Sequence, residues 1–120
     1  MTDKLPRKTE KPWGFELLFA RTPKYAGKVI FIRKGHRLSL QYHKKKDECM
    51  YIYQGKVRIE IEGADGGMTS YIAQPGHSIR IPPHTKHRLE AIEDTTFLEV
   101  STPELEDVVR VEDDYGRAKP

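Results

Sequence analysis

Between Gly35 and Gly55 the chain reads G-x5-Q-x-H-x4-E-x6-G, and this run carries Gln41, His43 and Glu48, three side chains able to donate a lone pair to a cation. Positions 41 and 43 differ by two, so on a strand both point to one face. The polar turn Lys44-Lys45-Lys46-Asp47 then lets the chain return as a second strand with Glu48 facing the pair. Farther along, Gly76 to His87 (GHSIRIPPHTKH) has the glycine and proline punctuation of another strand-turn-strand unit and supplies a fourth donor, His87. Two imidazoles, a carboxylate and an amide oxygen suit a divalent ion such as Zn, Mn, Co, Ni or Fe without choosing among them. Gln41 is the weak member, because a neutral amide is a poor ligand; its other role is a hydrogen bond that orients His43.

The remaining polar residues divide by position. His84 lies in a turn between Pro83 and Thr85 and reads as structural, while His36 and His77 follow glycines and read as loop residues. Cys49 has the opposite strand parity to Glu48 and is expected to pack between sheets. Arg88 and Glu90 share the outward parity opposite His87, which suits cross-strand pairing on the surface. The three consecutive lysines read as a solvated turn, with Lys46 the one best placed to face an anion beside the ligands. Trp13 is expected to anchor a core or a dimer interface, since an indole needs a large apolar pocket.

Short strands must position these groups. Residues 1–10 are polar and charged and are expected to form a mobile arm. Trp13, Phe15, Leu17 and Phe19 then alternate at period two, predicting a strand with that set on the core. Further strand-like runs cover 28–33, 38–43, 49–53, 57–62, 68–73, 78–81, 87–92, 96–101 and 108–111, with Gly63-Ala64-Asp65-Gly66-Gly67 as a hairpin turn. No segment has a convincing helical period. Many short strands at regular intervals predict an all-β antiparallel sandwich or barrel. In β-parity terms Val57, Ile59 and Ile61 face inward and Arg58, Glu60 and Glu62 face water.

Composition bounds the rest. One hundred and twenty residues support one domain with one core. The lone Cys49 excludes an intramolecular disulfide, and no apolar leader opens the chain, so a cytoplasmic setting is expected. No run approaches the ~20 apolar residues of a membrane span. Twenty-one basic against 18 acidic residues give a net charge of +3, spread along the chain, and no nucleic-acid partner is expected. A barrel of this size has edges to cover, which points to a homodimer built on strand pairing or on the apolar face near Trp13.

The two motif stretches resemble those of the cupin superfamily, G-x5-H-x-H-x3-4-E-x6-G and G-x5-P-x-G-x2-H-x3-N. Gly35, His43, Glu48 and Gly55 match the first and Gly76, Pro82 and His87 the second, while Gln41, His84 and Ala91 replace a histidine, a glycine and an asparagine. The resemblance implies a single-domain double-stranded β-helix, the jelly-roll barrel, over residues 11–117 with a C-terminal tail. A Gln, His, Glu, His metal set is similar to that of cupin phosphomannose isomerases. Lys11-Pro12-Trp13-Gly14, Lys28 to Gly35, Leu38 to His43, Ile81-Pro82-Pro83, His87 to Glu90 and Glu112 to Arg117 resemble the isomerase domain that ends mannose-1-phosphate guanylyltransferase/phosphomannose isomerase proteins. That domain usually carries arginine and tryptophan where this chain has Lys46 and Met50. With eleven residues ahead of Pro12, no nucleotidyltransferase domain is expected before the barrel.

The resemblance implies aldose-ketose isomerisation of a sugar phosphate such as mannose 6-phosphate, with Gln41, His43, Glu48 and His87 holding the metal. Glu48 is the candidate base, with Lys46 or Lys28 assisting if desolvation lowers its pKa. A phosphate clamp is drawn from Arg88, Arg117, Lys28 and Lys46. Tyr115-Gly116-Arg117 is implied to cover or complete the site. The alternatives are a non-catalytic sugar or sugar-nucleotide binding barrel in polysaccharide metabolism, and a metal-dependent oxygenase.

Overall fold

The computed structural model describes residues 4–118. Eleven strands follow one another: β1 (Arg7–Lys11), β2 (Gly14–Arg21), β3 (Ala26–Ile32), β4 (Leu40–His43), β5 (Glu48–Gln54), β6 (Val57–Glu62), β7 (Met68–Ala73), β8 (Ser78–Ile81), β9 (His87–Ala91), β10 (Thr95–Ser101) and β11 (Val108–Glu112). They form a six-stranded sheet, order β1-β2-β3-β10-β5-β8, and a five-stranded sheet, order β11-β4-β9-β6-β7, each antiparallel throughout. The chain crosses between sheets after β3, β4, β5, β7, β8, β9 and β10, which is the jelly-roll winding. No helix occurs among the described residues, and none is long and apolar enough to cross a membrane.

The core lies between the inner faces. Ile30, Ile32, Ile52 and Phe97 of the larger sheet meet Val57, Ile59 and Leu89 of the smaller one, all buried, with Trp13 beside them. Burying each such side chain contributes ~1.5–3 kcal/mol, so this interior is the main stabilising term. Alternation read β6 as it stands: Val57 and Ile59 are buried and Arg58 is exposed. Trp13 is a core anchor, at 3% exposure. Gly55, where β5 turns into β6, has φ +101°, and a Cβ there would run into the carbonyl oxygen of Asp94 and come within 2.6 Å of Thr95 Cα. Both the backbone angle and the close approach demand glycine at this place.

Three expectations need correction. Residues 7–10, read as part of a mobile arm, belong to β1, whose residues pair with Gly14 to Leu18; residues 1–3 lie outside the described residues. Phe15, Leu17 and Phe19 do not face the core: Leu18 is buried at 5% and Phe19 exposed at 47%, because Gly14, Glu16 and Leu18 hold the inward parity and the strand is irregular between Leu18 and Ala20. Phe15 instead stacks on Phe31 across the outer face, with ring centroids 5.4 Å apart. Cys49 also lies outside, exposed, as its parity opposite buried Glu48 and Met50 requires.

Candidate metal centre

Strands β4, β5 and β9 bring three donors together. Gln41 sits directly opposite His87 in the β4-β9 pair, and His43 follows two residues later on the same face. Glu48 enters from the other sheet at the start of β5. His43, Glu48 and His87 are all buried, and one ligand atom from each lies within 4.8 Å of the others. His87 Nε2 is 3.4 Å and His43 Nε2 3.8 Å from Glu48 Oε1.

The outer nitrogens are already engaged. His43 Nδ1 lies 3.1 Å from Asp107 Oδ1, and His87 Nδ1 donates to the Thr85 carbonyl at 2.9 Å. That pattern leaves the Nε2 lone pairs aimed inward, and both Nε2 atoms are buried without a hydrogen-bond partner. Burial, with Lys46 nearby, lowers the His43 pKa and keeps the imidazole in its neutral, ligating form. Orphaned buried nitrogens cost free energy unless something coordinates them. The three donors therefore fit a divalent cation, and the fixed Nδ1 partners are what a metal-binding histidine needs. Gln41 lines the same cavity, with its Oε1 accepting from Ser39 at 2.6 Å.

A buried charge network adjoins these donors. Lys46 Nζ lies 2.9 Å from an oxygen of Glu48 and 2.9 Å from Glu99 Oε2, with all three side chains almost fully buried. Glu48 Oε2 contacts the ammonium without hydrogen-bond geometry, so it too remains available. Burial by itself pulls the Lys46 pKa down, but Glu99 and Glu48 outweigh it and hold the ammonium above its ordinary range. Lys46 is thus held in its charged form, and the lowered pKa on which its part as an assisting base depended does not arise. Burial raises the Glu48 carboxyl, yet the close approach of the His87 imidazole and the Lys46 ammonium bring it well below the usual range. Glu99 goes the other way, pushed up to about 7 by burial and by the Glu48 charge.

Lys28 lies across the β3-β10 pair from Glu99 and lines the cavity, but its Nζ is 2.7 Å from Glu16. Arg117 also borders the cavity, held bidentately by Asp113 at 2.9 Å. Arg88 is not a surface residue. It is 5% exposed, its Nε donates to the Leu38 carbonyl at 2.9 Å, and its guanidinium faces Glu112 and Asp114 at 3.8 and 3.7 Å. Glu90, by contrast, does face a cross-strand partner at the surface, Arg58 of β6 at 3.9 Å. His36 is no free loop residue either, since its Nδ1 is 2.7 Å from the Tyr115 hydroxyl and the two rings stack.

Sequence reasoning missed Glu99, Glu16 and Asp107. For the first two a signal existed: each is a carboxylate at an inward strand position beside buried apolar residues, Phe97 and Leu18. For Asp107, 64 residues from His43 and in a loop, there was none.

Comparison with known proteins agrees with this fold. The chain is 33% identical over 88 residues to a glucose-6-phosphate isomerase of Thermococcus onnurineus, covering 69% of this chain and 44% of that protein. It therefore spans less than half of that relative. Among solved structures it is similar to KdgF from Halomonas sp. (TM-score 0.74, 23% identity, 84% of this chain and 89% of that one). It is also similar to oxalate decarboxylase from Bacillus subtilis (TM-score 0.80, 17% identity, 89% of this chain and 30% of that one). Residues 28–101, which carry every donor described above, match the cupin domain family, and the chain belongs to it.

Proposed function

We propose that this cupin is a metal-dependent aldose-ketose isomerase acting on a hexose 6-phosphate, with mannose 6-phosphate the substrate implied by the Gln41, His43, Glu48 and His87 set. The observation that carries this reading is the convergence of two partnerless Nε2 atoms and Glu48 beside a second, raised carboxyl, Glu99, in one cavity. The likeness to a glucose-6-phosphate isomerase supports the substrate class, since both hexose 6-phosphates share the same ketose product.

When bound, a divalent ion would polarise the sugar's C1 and C2 oxygens and stabilise the negative charge that develops on them. Its identity stays open among Zn, Mn, Co, Ni and Fe; Mn(II) centres are described for the oxalate decarboxylase. His43, His87 and Glu48 hold it, and Gln41 is the fourth donor. Isomerisation also moves a proton between C2 and C1. Glu48 is committed to the cation, so the residue suited to carry that proton is Glu99, a buried carboxyl whose raised pKa lies near neutrality. Lys46 keeps both carboxylates together and holds them in position. Trp13, Ile30, Met50 and Leu89 exclude water from the chamber.

The test is metal analysis followed by turnover of mannose 6-phosphate and glucose 6-phosphate with each of the five metals. His43→Ala with His87→Ala is expected to abolish stoichiometric metal, and Glu99→Gln to cut turnover by ~100- to 10,000-fold while metal content is kept. Ligand-induced thermal stabilisation without turnover under any metal would replace the isomerase by a sugar-binding barrel.

A further inference from the structure

Four buried side-chain polar atoms lack a hydrogen-bond partner among the described residues: His43 Nε2, His87 Nε2 and Glu48 Oε2 of the metal centre, and Nε of Arg110 on β11. All four residues line the same chamber. Arg110 pairs directly with Gln41 across β11-β4, and Gln41 pairs in turn with His87 across β4-β9, so the three stand in one cross-strand row. Val108, two residues before Arg110 and opposite His43, lines the chamber as well, which fixes the inward parity of this strand. No ion pair holds the Arg110 guanidinium among the described residues.

The segment around Arg110 has carboxylates enough to pair it, yet four of them go elsewhere. Asp107 takes His43 and the Lys45 and Lys46 amides, Glu112 faces Arg88, Asp113 holds Arg117, and Asp114 holds Arg37. Arg88 and Arg117, expected from the sequence to clamp an anion, are thereby committed to the C-terminal segment, and Lys28 to Glu16. The β11-β4 ladder shifts register just after Arg110, an irregularity of the kind that re-aims a side chain beside a site. An orphaned buried donor costs free energy, which a ligand that accepts from it restores. Neighbouring strands lie ~4.8 Å apart, so Arg110 is one spacing from the strand of His43 and two from that of His87. A ligand anchored at those donors therefore meets the arginine within ~5–10 Å, a span that one monosaccharide carrying an acidic group bridges.

We propose that Arg110 receives the anionic group of the ligand held at His43, Glu48 and His87, its planar fork of donors closing on a phosphate ester or a carboxylate. The assignment rests on the metal-centre reading of those three residues and supplies the anion-binding residue of the proposed function. An arginine kept for a ligand differs from one that holds the fold together, because the ligand-free protein gains no stability from it.

The experiment is calorimetric titration of metal-loaded wild type, Arg110→Met, Arg110→Lys and Arg58→Gln with mannose 6-phosphate, glucuronate and mannose, beside metal analysis and thermal unfolding of each ligand-free protein. Loss of a bidentate charge-assisted contact is expected to weaken the anionic ligand by about 10- to 100-fold in Arg110→Met, with mannose affinity and metal content unchanged. Arg110→Lys keeps the charge without the fork and is expected to fall in between. Arg58→Gln, on the outer face of β6, is expected to change nothing. Ligand-free Arg110→Met is expected to unfold at the wild-type temperature or above it, since it removes an orphaned buried donor. Arg110-dependent affinity that is greater for mannose 6-phosphate than for glucuronate assigns the site to a phosphate ester, and the reverse order to a carboxylate. Such affinity without turnover overturns the isomerase reading and retains Arg110. The same affinity in a wild type that takes up none of the five metals overturns the metal centre and retains the anion site. Turnover with unchanged anion affinity in Arg110→Met overturns the role of Arg110 and leaves the isomerase standing. A lower unfolding temperature with mannose weakened as much as the anion, or no binding of either anion by wild type, overturns the role of Arg110 as well.

Discussion

Two carboxylates and one ammonium share the wall of the chamber at His43 and His87, and their burial forces the charges apart. Glu48, close to the His87 imidazole and the Lys46 ammonium, falls below the carboxylate range, while Glu99, buried and facing the Glu48 charge, rises to about 7. This division has a consequence for stability. The folded chain holds a proton on Glu99 that the unfolded chain releases near the ordinary value of 4.5, so between 4.5 and about 7 the folded state binds more protons. The Glu99 contribution to the stability of the metal-free protein therefore falls as pH rises through that window. Glu99→Gln cannot ionise and lacks this decline. Relative to wild type it is expected to gain on the order of 1–3 kcal/mol between pH 5 and pH 8, measured by urea unfolding with chelator present. An equal difference at both pH values would show that Glu99 is ionised throughout.

At the level of elements, the β4-β5 turn is tied down from a distance. Asp107, in the loop before β11, accepts from the Lys45 and Lys46 amides at 2.6 and 2.9 Å and meets His43 Nδ1 with its other oxygen. One carboxylate thus shapes the turn that buries Lys46 and orients a ligand imidazole. Asp107→Ala is expected to weaken metal binding ~10- to 100-fold, as loss of a partner to a ligand histidine generally does, and the readout is competition against a chelating dye. Metal affinity equal to wild type would limit Asp107 to holding the turn. Another element, the turn before β9, places His84 at φ +60°, in the left-handed region. The glycine that the resembling motif carries at that place has a physical reason, and His84 occupies it while donating its amide to the His43 carbonyl at 2.7 Å. The C-terminal tail is docked by Arg37, bidentate on Asp114, and by the Tyr115 contact with His36.

Over the whole molecule, the two outer faces differ. The smaller sheet shows Arg58 and Glu62 to water, while the larger shows Phe15, Leu17 and Phe19 of β2 beside Phe31, Leu98 and Val100. Phe19 is 47%, Leu98 37% and Val100 59% exposed. Contiguous apolar surface of this kind generally marks an interface. We expect a homodimer through this face rather than near Trp13, with Leu98→Glu/Val100→Glu converting it to a monomer that keeps its metal. Sedimentation of the wild type as a monomer at micromolar concentration would refute the dimer.

The fold class and the shared face of Gln41 and His43 were legible in the chain itself, because strand parity and turn residues are local properties, while Glu48 and His87 were marked by the motif spacing they resemble. Two residues of spacing put Gln41 and His43 on one face whatever the sheet does, and β6 to β9 fall within a residue or so of their expected limits. What needed the tertiary structure is whatever depends on which strands become neighbours. Phe15, Leu17 and Phe19 alternate as a core face would, yet only pairing with β3 and the inward placement of Glu16 show that they lie outside. Lys46 looks like one of three solvated lysines until β10 brings Glu99 to it, 53 residues away. Composition marked residues 7–10 as an arm, and the β2 edge recruited them as a strand whose inner face is cationic. In each case period-two spacing determines that a side chain alternates, and only the folded sheet determines toward what.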